Sequence, residues 1–131
     1  MATLSNPNFQ VDILTGISTV VVTGTVDVEL TPFETFLVNA GLPLQLHSDL
    51  WGNDGGNGID DDHLFPFTAQ SITAPGTYTF RATIPSGYLN EDSSWNDDRD
   101  EVYNIFRMVS GSNLFPIGNI VARSPEIRGY F

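Results

Sequence analysis

The 131-residue chain is long enough for one domain with a sizeable core, and an apolar fraction of 40% is that of a globular protein. Its formal charge of −11 sets 16 acids against five arginines and no lysine, which weighs against nucleic acid and against membrane insertion. The absence of cysteine removes disulfides and thiolate metal sites but leaves the compartment open.

Met1-Ala2-Thr3 opens a stretch with neither a basic n-region nor a long apolar run. Location therefore stays open: extracellular or at a cell or virion surface if a leader has been removed, otherwise cytoplasmic. Phe9, Val11 and Ile13 mark a first strand over 8–14, and Thr15-Gly16 turns it into a second over 18–30. There Val20, Val22, Val26, Val28 and Leu30 alternate with Thr19, Thr23, Thr25, Asp27 and Glu29, the period of a half-buried strand. A further strand is expected over 33–38, before the turn Asn39-Ala40-Gly41. Leu42, Leu44, Leu46 and Leu50 then alternate with Gln45, His47 and Asp49, and another strand is expected over 63–69. After Pro75-Gly76, the residues Tyr78, Phe80, Ala82 and Ile84 alternate with Thr77, Thr79, Arg81 and Thr83. The segment 101–109 is ambiguous. Val102, Ile105, Phe106 and Val109 have helical spacing and Asp98 with Glu101 fits a capping box, but Val102, Tyr103, Ile105 and Phe106 favour a strand. We read it as a strand, followed by the turn 110–113 and a last strand over 117–123.

About eight strands with one apolar face each predict a single all-β domain over 1–131, an antiparallel two-sheet sandwich, Ig-like or jelly-roll-like. Acids are not spread evenly over it. Asp49, Asp54, Asp60, Asp61 and Asp62 fill one window, and Glu91, Asp92, Asp97, Asp98, Asp100 and Glu101 fill a second. If successive strands alternate in direction, the loops 52–62 and 85–100 leave the same end of the sandwich. Two like charges about 4 Å apart repel by about 4 kcal/mol at an effective dielectric of about 20. Several such pairs rival a total stability of about 5–15 kcal/mol. Either the carboxylates splay into water as a solvated rim, or a cation sits among them.

Calcium fits best, since it takes hard oxygen ligands in flexible geometry, and loops rich in Asp, Asn and Gly bend around it. Magnesium keeps its waters, and zinc would have only His47 and His63. The candidate ligands are Asp49, Asp54, Asp60, Asp61, Asp62, Asp97, Asp98, Asp100 and Glu101. Gly55-Gly56-Asn57-Gly58-Ile59-Asp60 resembles one copy of the nonapeptide of RTX-type calcium β-rolls. Asp62 stands where that repeat has a large apolar residue, and no tandem copy follows, so its ligand pattern is not transferred. The segment 96–101 lacks the glycine and distal glutamate of an EF-hand loop.

Trp51 and Trp95 border the acidic windows, and with Tyr88 they are the candidate ligand-binding aromatics. Either the rings stack on a sugar or they close the open end of the sandwich. No nucleophile elbow, His-Glu-x-x-His or phosphate loop is present, so no enzyme is expected. Both chain ends are apolar: 1–26 carries only Asp12, and the tail closes on Tyr130-Phe131. Such ends either pack on their own core or add to a neighbour's sheet edge. The sequence thus frames three roles. The first is a calcium-stabilised structural or adhesive module, the second a self-assembling fibre, capsid or tail subunit pairing through terminal strands, and the third a calcium-assisted carbohydrate-binding domain. Protein partners or self-association lead; carbohydrate is the other option.

Overall fold

The computed structural model describes residues 2–13, 19–42, 44–52, 62–85, 100–110, 120–125 and 127–129. The strands are β1 (Thr3–Ile13), β2 (Thr19–Glu29), β3 (Leu44–Gly52), β4 (Asp62–Pro66), β5 (Gln70–Ser71), β6 (Gly76–Pro85), β7 (Asp100–Ser110), β8 (Ile120–Arg123) and β9 (Ile127–Gly129). The period read from the sequence is expressed directly in β2 and β3. Val20, Val22, Val26, Val28, Leu44, Leu46 and Leu50 are fully buried, while their neighbours Thr23, Thr25, Gln45 and His47 reach solvent.

One antiparallel sheet has the order β1-β2-β6; the other has the order β4-β3-β7-β8, with β5 also on β3 and β9 on β7. Two antiparallel sheets so composed make a sandwich-like fold. The sheets meet through aromatic rings. Phe80 of β6 packs on Phe106 of β7 at 6.1 Å between ring centres, and Phe67 packs on Phe80 at 5.8 Å. Leu44, Leu46, Leu50, Val102, Met108 and Ile84 fill the space around them.

The segment 101–109 is strand, within β7, and its helical spacing is incidental. The expected strand over 33–38 is instead a helix, α1 (Pro32–Asn39). Its start is chemically specified: Thr31 is the N-cap, Pro32 supplies the first helical position, and Glu34 closes a capping box. The strand-favouring Phe33, Phe36 and Val38 are outvoted by that cap. Two boundaries also differ. β1 begins at Thr3 rather than near residue 8, because Asn6 at φ 49° and Pro7 shift the register between Ser5 and Asn8 and hide the period. The strand expected over 63–69 breaks after Pro66 and resumes as β5, with the Phe67 N–H donating to Ser48 O at 2.9 Å across the break.

Glu34 does more than cap. Its Oε1 accepts from the Thr31 N–H at 2.9 Å and the Thr31 hydroxyl at 2.8 Å, and its Oε2 accepts the Ala2 N–H at 2.8 Å. The buried carboxylate thereby ties α1 to the start of β1. Burial by itself would raise its pKa, but the donors from Thr31 and Ala2 outweigh it and hold the group below the ordinary glutamate range. A second polar feature lies inside the sandwich. Ser48 Oγ donates to Asn104 Oδ1 at 2.7 Å, and Ser124 and Asn104 exchange further bonds at 2.9 Å. The Asn104 Nδ2 rests on Gly24 of β2 with no hydrogen-bond partner, and Phe106 Cζ stands 3.1 Å from where a Cβ would be.

Two stability outcomes follow. Gly24→Ala should cost about 1–3 kcal/mol in urea denaturation, because the methyl meets Asn104 and Phe106, and less in an Asn104→Ala background. Glu34→Gln should cost about 1–3 kcal/mol at neutral pH. Because the folded pKa of Glu34 is depressed, the wild type holds this stability above the ordinary glutamate range and loses it as pH falls through the folded value. The variant's urea midpoint should lack that acid-side decline.

Candidate functional site

The strand register fixes where the acidic windows are anchored. Gly52, at the end of β3, lies opposite Asp62 of β4 on one side and Val102 of β7 on the other. Asp100 and Glu101 enter β7 at the same level, opposite Gly129 and Arg128 of β9. β6 runs in the direction of β3: the Ile72 N–H donates to Leu44 O at 2.7 Å, four residues before β6 begins. Its end at Pro85, opposite Thr19, is therefore at the pole where β3 ends. Residues 53–61 connect Gly52 to Asp62 and residues 86–99 connect Pro85 to Asp100, so the strand ends to which both windows are tied share one end of the sandwich.

Of the candidate ligands, Asp62, Asp100 and Glu101 lie in strands at this pole, and only their backbone is described. Asp54, Asp60, Asp61, Asp97 and Asp98, with Tyr88 and Trp95, lie outside the described residues. Among the described residues no group of three or more His, Asp or Glu side chains is placed to hold a metal ion.

Asp49 and Trp51 point elsewhere. Both alternate with buried Ser48, Leu50 and Gly52, which turns them to the outer face of the second sheet. There Asp49 Oδ1 meets His63 Nε2 at 2.8 Å, and the Trp51 ring meets the His63 ring edge-on at 5.2 Å and 79°. Trp51 thus does not lie over the open end of the sandwich. Cross-strand pairing extends the face: Trp51 is opposite Tyr103, Asp49 opposite Ile105 and His47 opposite Arg107. Asp49, Trp51, His63, Ile105 and Arg107 line an open groove of about 310 Å³. Beside it the Arg123 guanidinium lies 3.7 Å above the centre of the Tyr103 ring.

This face combines an aromatic ring, a hydrogen-bonded acid–imidazole pair and an exposed arginine. The contributions of His63, Ile105 and Arg107 do not show as a motif in the sequence. The alternation of β7 carries the signal for Ile105 and Arg107, because Val102, Asn104, Phe106 and Met108 point inward. His63 is brought beside Trp51 by a register shift between Leu50 and Trp51, which no period announces.

No family model matches the chain, and no curated protein matches it. Among solved structures, a protein from Archaeoglobus fulgidus superposes with a TM-score of 0.50 over 98% of each chain, at 11% identity. At that identity the likeness is one of fold alone.

Proposed function

We propose that this protein is a non-enzymatic β-sandwich module whose acidic pole binds calcium, and that the bound ion stiffens the pole for a structural or adhesive role. One observation carries the reading: Gly52 lies between Asp62 and Val102, so the anchors of both acidic windows share one pole. Eleven of the 16 acids belong to those windows, and once Asp49 is set aside on the sheet face, ten remain. Ten carboxylates hung from one end of a small sandwich carry a repulsion that a divalent cation relieves. Asp, Asn and Gly supply side-chain and backbone oxygens without imposing a rigid geometry, which suits calcium above magnesium.

A second reading is favoured by the groove at Asp49, Trp51, His63, Ile105 and Arg107. A half-exposed tryptophan beside an acid and an imidazole offers a neutral sugar both a stacking surface and hydroxyl partners. The two readings are compatible, since the groove and the pole are different surfaces.

Calorimetric titration of chelator-treated protein with calcium should give saturable heat. Calcium at a hundredfold excess over its dissociation constant should stabilise the fold by about 2.7 kcal/mol. Joint Asp60→Asn and Asp98→Asn substitution should weaken binding; a flat titration of the wild type removes the calcium reading. For the groove, a panel of neutral sugars should shift tryptophan fluorescence in the wild type and not in Trp51→Ala. An unchanged wild-type spectrum across the panel sinks the sugar reading.

A further inference from the structure

The sheet edges differ in how well they are guarded. β1 carries Pro7 and the register break between Ser5 and Asn8, both of which spoil an edge as a template. The edges of the second sheet are broken into short pieces, β4 with five residues and β5 with two, β8 with four and β9 with three. β6 is the exception. Its ten residues run in unbroken register with β2, from Gly76 opposite Val28 to Pro85 opposite Thr19. The Gln70 Nε2 donates to Thr79 O at 2.7 Å, so Thr79 turns its backbone away from β2. By alternation Thr77, Arg81 and Thr83 do the same. Among the described residues no strand pairs with that side.

Side chains on this edge also have a complementary pattern. Thr77, Thr79, Arg81 and Thr83 are exposed on the outer face, and Asp27 of β2 lies directly opposite Thr77. The Asp27 carboxylate accepts from Asn6 Nδ2 at 2.8 Å and from Thr77 Oγ1 at 2.6 Å, bonds that hold its pKa below the usual range and keep it ionised. Among the described residues Arg81 has no ion-pair partner, although the chain carries 16 acids.

We propose that the β6 edge is a homodimer interface, in which a second copy pairs antiparallel with it about a two-fold axis at Thr79. The outward backbone of Thr79 then pairs with Thr79 of the second copy, and those of Thr77 and Arg81 pair with each other across the axis, in a continuous sheet β1-β2-β6-β6-β2-β1. Charge selects this register. With the axis at Thr79, Arg81 of the second copy faces Thr77, and Asp27 lies one strand beyond. Two strand spacings of about 4.8 Å separate those backbones, a span that an arginine and an aspartate side chain together cover. Two symmetric Arg81–Asp27 pairs result. An axis at Arg81 would set the two guanidinium groups face to face, and an axis at Phe80 would put Arg81 in a row with only Thr79 and Thr25. Gln70 caps the Thr79 carbonyl in the single copy, and the carbonyl's second lone pair remains for the ladder. The groove of about 380 Å³ beside this edge, floored by Phe67 and Phe80, is closed from the side by the pairing.

Sedimentation velocity across a concentration series tests this independently of calcium. The wild type should sediment as a dimer. Thr79→Pro removes an N–H that points away from β2, and Arg81→Asp puts an acid opposite Asp27. Each should weaken dimerisation at least about tenfold while circular dichroism stays native. Combining Arg81→Asp with Asp27→Arg should restore the dimer. A wild type that stays monomeric at the highest concentration, or a dimer that ignores both single substitutions, overturns the proposal.

Discussion

The contact between Phe80 and Phe106, extended by Phe67, is the joint on which the rest of this fold depends. It fixes which face of β6 and β7 turns inward, and with period two the inward choice at one residue decides the direction of every other residue in the strand. Once Phe106 is inside, Ile105 and Arg107 must be outside; once Phe80 is inside, Thr79 and Arg81 must be outside. Gly24 is a condition of the same joint. Only a residue without a side chain leaves room for Asn104 and Phe106 to lie against β2. The outer face at Asp49, Trp51 and His63 and the open edge of β6 are thus both set by one apolar stack.

Polar groups inside the sandwich serve position more than energy. The Ser48–Asn104–Ser124 chain of hydrogen bonds links β3 and β7 to the residue that follows β8, and its satisfied members cost little to bury. Glu34 does the equivalent at the opposite end from the acidic pole. A buried carboxylate with three donors is stable only where those donors are held, so Thr31 and Ala2 are fixed together by it. A helix in a strand-rich chain is thereby locked to the first strand.

Strands with a clean period, β2, β3 and β6, are legible because one buried face writes itself into the sequence, while β7 is legible only through its strand-favouring residues Val102, Tyr103, Ile105 and Phe106. The second face was legible by the same rule, though its content was not: Ile105 and Arg107 become neighbours of Asp49 and His47 only once register is known. Misreadings arose where local chemistry overrides the pattern. In α1, Thr31, Pro32 and Glu34 outweigh three strand-favouring side chains. In β1, Asn6 and Pro7 break the alternation over its first half. Asp49 was grouped with the acidic loop by sequence proximity, yet its position in β3 turns it to the sheet face and onto His63. The two acidic windows are legible in the sequence, because charge density along the chain needs no register to be seen.

The acidic pole and the β6 edge constrain each other. A chain of formal charge −11 resists self-association, and any interface that brought two such poles together would be opposed by their combined field. Antiparallel pairing through β6 avoids this. The pole lies at the Pro85 end of the strand, six residues beyond the proposed axis, about 20 Å along it at about 3.3 Å per residue. The two-fold axis sends the second pole the same distance the other way, so the poles lie about 40 Å apart, several times the Debye length of about 8 Å at physiological salt. Parallel addition of a strand at the same edge would instead place the poles side by side. Charge therefore favours the arrangement that the backbone groups of Thr77, Thr79 and Arg81 also favour, and it would continue to do so with both poles free of cation.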